Sequence, residues 1–211
     1  MKNQIKVLSE LSLLYKPTHE SYAKAWHGHR GFAQRLAREL KPSTFVELGV
    51  HGGDSYFTFV EAFKLYGIKC NSYAVDIWSG DEQSGTYGEN IYNDVCKEND
   101  KYRTYSNLMR MTFDQAAEVI PSIDLLHIDG LHTYDAVKKD YDTWSNKVND
   151  MIIFHDINVP WNPDFGVWKL WDEIKSASEF QCYEFMHCFG LAVLCKSQKA
   201  VDAMETIINL D

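Results

Sequence analysis

The stretch Ile123-Asp124-Leu125-Leu126-His127-Ile128, which stops at Asp129-Gly130, constrains the fold more than any other part of the chain. A strand with one wet face alternates polar and apolar residues, whereas a strand covered on both faces reads as a nearly continuous apolar run. The sheet that holds such a strand carries helices on both sides. Residues 151–154, followed by His155-Asp156, have the same character. Between the two runs, Tyr134, Val137, Tyr141, Trp144 and Val148 recur at helical spacing and predict a crossover helix with one apolar face. Strand, helix, strand is the unit of a parallel sheet.

The N-terminal half continues the alternation. Phe45, Val46 and Leu48 form a short buried strand, and Gly49, Gly52 and Gly53 follow where it must turn sharply into a helix opening near Asp54 and Ser55. Glycine tolerates positive φ and lets backbone approach a ligand, and the free N–H groups of the opening helix face the same crevice. Residues 71–77 are the next strand and end at Asp76. In a nucleoside-binding α/β fold, an acidic residue some 20 to 30 positions after such a turn accepts hydrogen bonds from the ribose hydroxyls. The G-x-G-x-x-G of a pyrophosphate cradle is missing, which disfavours a nicotinamide-dependent oxidoreductase. Ligands of open α/β sheets lie beyond the carboxyl ends of the strands, so Gly49, Asp76, Asp129, His155 and Asp156 are expected around one cavity.

Other elements are read from periodicity and caps. Helices are expected over residues 3–15 and about 20–40, the second with Phe32, Ala33, Leu36, Ala37 and Leu40 on one face. Tyr22, Trp26, His27, His29 and Arg30 precede that stripe, either as core or as the rim of a substrate mouth. A helix is expected over residues 56–66, a loop over 78–90, a helix over 89–98 and a third strand over 102–105. Thr112 and Gln115 have capping-box spacing for a helix reaching Ile120. A helix over 166–176, two closing strands over 180–185 and 191–195, and a last helix over 198–209 complete the chain.

At 211 residues, 45% hydrophobic and 14% aromatic, the chain suits one unit with a sizeable core. The formal net charge of −9 argues against a nucleic-acid partner, since phosphate binding needs clustered Lys and Arg. No apolar run approaches membrane-spanning length, so no membrane insertion and a cytoplasmic location are expected. Five cysteines without C-x-x-C spacing indicate neither a disulfide framework nor a zinc site.

Val46-Glu47-Leu48-Gly49 through Gly53 resembles the first motif of class I S-adenosylmethionine-dependent methyltransferases. The segments HIDGLHTYDAVKKDYDTW, IIFHDINV and FGVWKLWDEI are similar to members found with glycan, O-antigen and sugar-tailoring genes. The resemblance spans residues 43–195. It implies a Rossmann-like methyltransferase fold: a mostly parallel seven-stranded sheet, helices on both faces and an antiparallel pair at the sheet edge. Residues 43–211 form the S-adenosylmethionine-binding domain, and the helices of 1–42 belong to the same unit.

By position, the resemblance implies that Glu47, Gly49, Gly53 and Ser55 shape the pocket for the methionine end, Asp76 holds the ribose and Asp114 contacts adenine. Trp78 packs on the adenosine or covers the pocket edge, and Asp129 lies near the sulfonium and the acceptor. Catechol-type relatives bind a divalent cation through an Asp ending the fourth strand and an Asp-Asn pair ending the fifth. Here the corresponding set is Asp129, His155 and Asp156, with His132 as the alternative to His155, as ligands for Mg2+ or another divalent cation. His132 is the candidate general base, because an imidazole titrates near neutrality and this one follows Asp129 on the helix-entry loop. The expected activity is O-methylation of a sugar, glycan or other small hydroxylated acceptor, with a homodimer as one possible assembly and Trp161 as the best candidate for an aromatic contact to a sugar. A noncatalytic cofactor-binding partner in a glycan-assembly complex is the alternative.

Overall fold

The computed structural model describes residues 5–21, 23–81, 83 and 85–209. Its elements are β1 (Lys6–Leu8), α1 (Arg30–Leu40), β2 (Thr44–Leu48), α2 (Asp54–Leu65), β3 (Asn71–Asp76), the hairpin β4 (Gly80–Asp81) and β5 (Gly85–Thr86), α3 (Glu89–Asn99), β6 (Ser106–Arg110), α4 (Phe113–Val119), β7 (Ile123–Ile128), α5 (Tyr134–Trp144), β8 (Val148–His155), α6 (Val167–Ala177), β9 (Gln181–Phe185), β10 (Leu191–Cys195) and α7 (Gln198–Ile208). Eight strands make one sheet in the order β1-β9-β10-β8-β7-β2-β3-β6. β10 runs antiparallel to both β8 and β9, and the other neighbours are parallel.

Alternation along the strands divides the interior into two layers. Phe45 of β2 packs with Phe59 and Phe63 of α2 on one face, while Val46 and Leu48 join Leu126, Ile152 and Trp171 on the other. Truncating a buried Phe of this kind to Ala costs about 3 to 5 kcal/mol, so the cores rather than helix propensity hold the layers on the sheet. The capping box at Thr112 and Gln115 forms, with Gln115 N–H donating to Thr112 Oγ1 and Thr112 N–H to Gln115 Oε1. All five cysteines are free.

Three expectations are corrected. The helix over residues 3–15 is replaced by β1, which adds an eighth strand and lies outside the antiparallel pair as the outermost strand. Pairing with β9 and the contact of Lys6 with Glu205 override the helical spacing. The helix over 20–40 begins only at Arg30, after a 3-10 turn at His27–His29. Before that turn the chain runs as an irregular strap along α1, where Gln34 bonds the backbone of Leu14 and Tyr15 and a Cβ at Gly31 would sit 2.0 Å from Leu11 O. The third strand is Ser106–Arg110 rather than 102–105, because α3 continues as a 3-10 turn that buries Tyr102.

Candidate active site

A cavity of about 480 Å³ opens where β2, β3, β7 and β8 end, beside the reversal of strand order between β7 and β2. This is the place an α/β sheet leaves for ligands. Gly49 builds its floor. With φ +85 it turns β2 away, and a Cβ there would lie 2.0 Å from Asp129 O, so glycine is what lets the ends of β2 and β7 touch. Gly53, φ +84, then opens α2, with Asp54 in the first turn.

Asp76 lines the cavity and organises the turn. Its Oδ2 accepts from the N–H groups of Val50 and His51, both at 2.9 Å, and its Oδ1 accepts from Trp78 N–H at 2.7 Å. Ser55 also lines the cavity and donates to Glu47 Oε1 at 2.7 Å. Glu47 itself is fully buried behind Ser55 and does not reach the cavity; its other oxygen lies 2.9 Å from His127 Nδ1, and burial pushes its carboxyl above the ordinary range. Trp78 likewise sits behind the wall, donating from Nε1 to His51 O at 2.9 Å and packing on Tyr92. Asp114 is exposed and paired with Lys139 at 2.5 Å, because the first turn of α4 aims it outward; Thr112 and Phe113 line the cavity instead.

The opposite end of the cavity gathers charge. His132 Nε2 lies 2.9 Å from Asp156 Oδ2 and 3.6 Å from Asp129 Oδ1, and its ring stacks on Phe165 at 4.6 Å between centroids. His155 Nδ1 lies 3.1 Å from Asp156 Oδ2 and 3.4 Å from Asp129 Oδ1, while Nε2 lies 3.1 Å from Cys188 O. Burial opposes charge on all four groups, but mutual attraction outweighs it: both carboxyls are held below their ordinary range and both imidazoles above theirs, His132 at about 9. Asp156 has φ +61, a left-handed backbone that Asp tolerates better than most residues.

The donor atoms that lie together are those of the set with His132 as its histidine. Ligand atoms of Asp129, His132 and Asp156 lie within 4.8 Å of one another. Both imidazoles lie against the two aspartates, but the His155 side chain is 2% exposed with Nε2 on the Cys188 carbonyl, whereas that of His132 is 21% exposed, so His132 is the histidine open to an arriving ion. Two carboxylates and one imidazole suit a divalent cation such as Mn2+ or Zn2+ better than the all-oxygen shell Mg2+ prefers. The glycine floor and the Asp76 carboxylate likewise fit a nucleoside with a small polar tail.

Of the strap, Trp26 is among the residues expected either as core or as rim, and Ser21 is not. Ser21 and Trp26 line the cavity, and Ser21 Oγ donates to Asp54 Oδ2 at 2.8 Å. His29 is core, Arg30 pairs with Asp54, and Tyr22 lies outside the described residues. Nothing local marks Ser21 as cavity wall, since it belongs to no motif or apolar stripe.

A family model described as a methyltransferase domain matches residues 46–157. The chain is 37% identical over 191 residues to y4gI, an uncharacterized protein of Sinorhizobium fredii, and spans 87% of its own length but only 21% of that relative. In fold it is similar to the S-adenosylhomocysteine-bound methyltransferase PaMTH1 of Podospora anserina (TM-score 0.60, 13% identity, 79% of this chain and 77% of that one). It is also similar to TomG of Streptomyces achromogenes, an O-methyltransferase of tomaymycin synthesis solved with S-adenosylmethionine (TM-score 0.57, 12% identity, 84% and 90%). With more than half of its length under that family model, and the matched segment running from the glycine floor to the Asp156 strand end, this chain belongs to the methyltransferase-domain family.

Proposed function

We propose that the chain is an S-adenosylmethionine-dependent O-methyltransferase acting on a sugar, glycan or other small hydroxylated acceptor. The observation that carries this reading is the convergence of Asp129, His132 and Asp156 at the end of the same cavity whose floor is the glycine turn and whose wall holds Asp76. S-adenosylmethionine supplies an already activated methyl group on its sulfonium, so the protein has only to align an acceptor oxygen and manage its proton.

Asp76 and the turn from Gly49 to Gly53 are positioned to hold the nucleoside and methionine ends. Asp129, beside Gly49, sits where the two halves of the cavity meet. In the cation-free site, against the cost of burial, the Asp129 and Asp156 carboxylates raise the His132 imidazole to about 9, which favours a bound cation over His132 as the group that activates the acceptor hydroxyl. Asp129, His132 and Asp156 would hold a divalent cation, whose contribution would be to acidify the acceptor hydroxyl. Trp161, 67% exposed on the loop that leaves Asp156, offers a ring face to a sugar.

The test combines binding and turnover. Calorimetry with S-adenosylhomocysteine should give saturable binding to the wild type, and methyl transfer to a panel of glycan and phenolic acceptors should require added Mn2+ or Mg2+. Asp129→Ala should abolish transfer. Absence of heat with the cofactor product would end the methyltransferase reading; cofactor binding with no transfer by wild type to any acceptor would favour a noncatalytic partner module, as the much longer relative allows.

A further inference from the structure

We infer that Gln83 is a positioning residue: from the β4–β5 hairpin on the cofactor side of the cavity, it fixes the ring of His132 so that Nε2 faces Asp129 and Asp156. The inference rests on the function proposed above and names a part of that site which none of the motifs contains.

Hydrogen-bond chemistry leaves one arrangement. The main-chain N–H of His132 can only donate, and the atom it meets at 2.9 Å is Gln83 Oε1. The same oxygen lies 2.9 Å from His132 Nδ1. An amide oxygen only accepts, so Nδ1 carries a hydrogen. The other end of the amide agrees, because Gln83 Nε2 donates to Asp164 O at 2.9 Å, and flipping the side chain would set donor against donor at His132 and acceptor against acceptor at Asp164. With Nδ1 committed, Nε2 is the ring atom left for the carboxylates, 2.9 Å from Asp156 and 3.6 Å from Asp129. The partner at one imidazole nitrogen sets what the other can do.

Placement gives the contact its reach. Gln83 sits between β4 and β5, the hairpin that follows Asp76 and Trp78, and Gly80 and Tyr87 of the same segment line the cavity. Asp164 belongs to the loop after Asp156, and Gly166 N–H, two residues on, donates to His132 O at 2.7 Å. One side chain therefore ties the segment after the ribose strand, the loop after β7 and the loop after β8 together. A ligand that settles the hairpin also settles the His132 ring.

The experiment compares Gln83→Met, which keeps the length but removes both amide functions, with Gln83→Glu, which keeps an acceptor for His132. Three quantities are measured on each full-length protein: the 15N shifts of the His132 ring through a pH titration, Mn2+ affinity by calorimetry, and S-adenosylhomocysteine affinity. The neutral wild-type ring should be the Nδ1–H tautomer. Gln83→Met should lose that preference and bind Mn2+ about 10- to 100-fold more weakly, with cofactor-product affinity changed less than about threefold. Gln83→Glu should stay within about threefold of wild type for Mn2+ and keep the tautomer. Wild-type ring shifts and Mn2+ affinity in Gln83→Met would overturn the inference while leaving the methyltransferase reading intact. If the wild type binds neither Mn2+ nor the cofactor product, that reading fails, and the ring shifts alone decide the role of Gln83.

Discussion

His132 Nε2 and Asp156 Oδ2 stand 2.9 Å apart, and this pair joins the loop after β7 to the end of β8 across the mouth of the cavity. Without a cation the contact is an ion pair, and the proton it holds makes the site sensitive to pH. The folded-state value of His132, about 9, is above that of an unfolded histidine, 6.5. Its contribution to stability is therefore complete below about pH 6.5 and is lost as pH rises through about 9. Cation-free protein should show a falling Tm across that window, and His132→Gln should flatten the fall. A level Tm in the wild type would count against the ion pair. Because a ligating imidazole must shed that proton, Mn2+ affinity should rise over the same window.

Asp140 gives a second pH effect, outside the site. Burial pushes its carboxyl up to about 7, with Lys139 opposing and Asp114 adding to the rise. Its folded value exceeds its unfolded one, so its contribution is full below about pH 4 and is lost as pH climbs through 7. Asp140→Asn should raise stability at pH 8 by on the order of 3 kcal/mol or less and change little at pH 4. Urea denaturation at the two pH values reads the difference directly.

Glu47 should prove structural before it proves catalytic. Replacing it with Ala strands His127 Nδ1 in a dry interior and takes the partner from Ser55 Oγ at the cavity wall, a loss of about 1 to 3 kcal/mol in urea denaturation. Glu47→Gln retains a polar partner for each and should cost less than half as much. Equal losses in the two variants would mean that charge, not hydrogen bonding, is what position 47 supplies.

Two glycines separate close approach from backbone strain. Gly49 and Gly67 both have positive φ, but a Cβ at Gly49 meets Asp129 O at 2.0 Å, whereas one at Gly67 meets nothing within 4 Å. Gly67→Ala should cost about 1 kcal/mol and leave cofactor-product binding unchanged. Gly49→Ala should abolish that binding, measured by calorimetry, by forcing β2 and β7 apart at their ends.

Trp161 is exposed, so Trp161→Ala should leave stability within about 0.5 kcal/mol of wild type. If its ring stacks on the acceptor, KM for a sugar acceptor should rise about tenfold or more, in line with the stacking energy of an aromatic contact, while cofactor-product affinity holds. An unchanged KM would move the acceptor elsewhere on the rim.

What the sequence makes legible follows from where the information is local. The runs at β2, β3, β7, β8 and β10 announce themselves because both faces are buried, and Asp76, Asp129 and His155, at the ends of β3, β7 and β8, mark the end of the sheet that carries the cavity. β1 and β6 are edge strands whose sequences, KVL and SNLMR, carry little β signal; only their neighbours define them. Spacing names Asp129, His155 and Asp156 together, yet it cannot say which ring nitrogen either histidine presents to the carboxylates. That is decided by the Cys188 carbonyl behind His155 and by the Gln83 amide beside His132, partners 33 and 49 residues away in the chain. Glu47, Trp78 and Asp114 carry the right chemistry at the right positions but face the interior or the solvent, a matter of side-chain direction that residue type does not encode.

The left-handed backbone at Asp156 narrows the routes open to protein engineering. Asn or Gly would accept φ +61 but surrender a formal charge, while Glu would keep the charge and gain a methylene on a main chain that disfavours it. Handedness and electrostatics cannot be tuned apart at that position. Libraries aimed at the proposed cation site are better spent on positions 129 and 132, with 156 left as the fixed pivot.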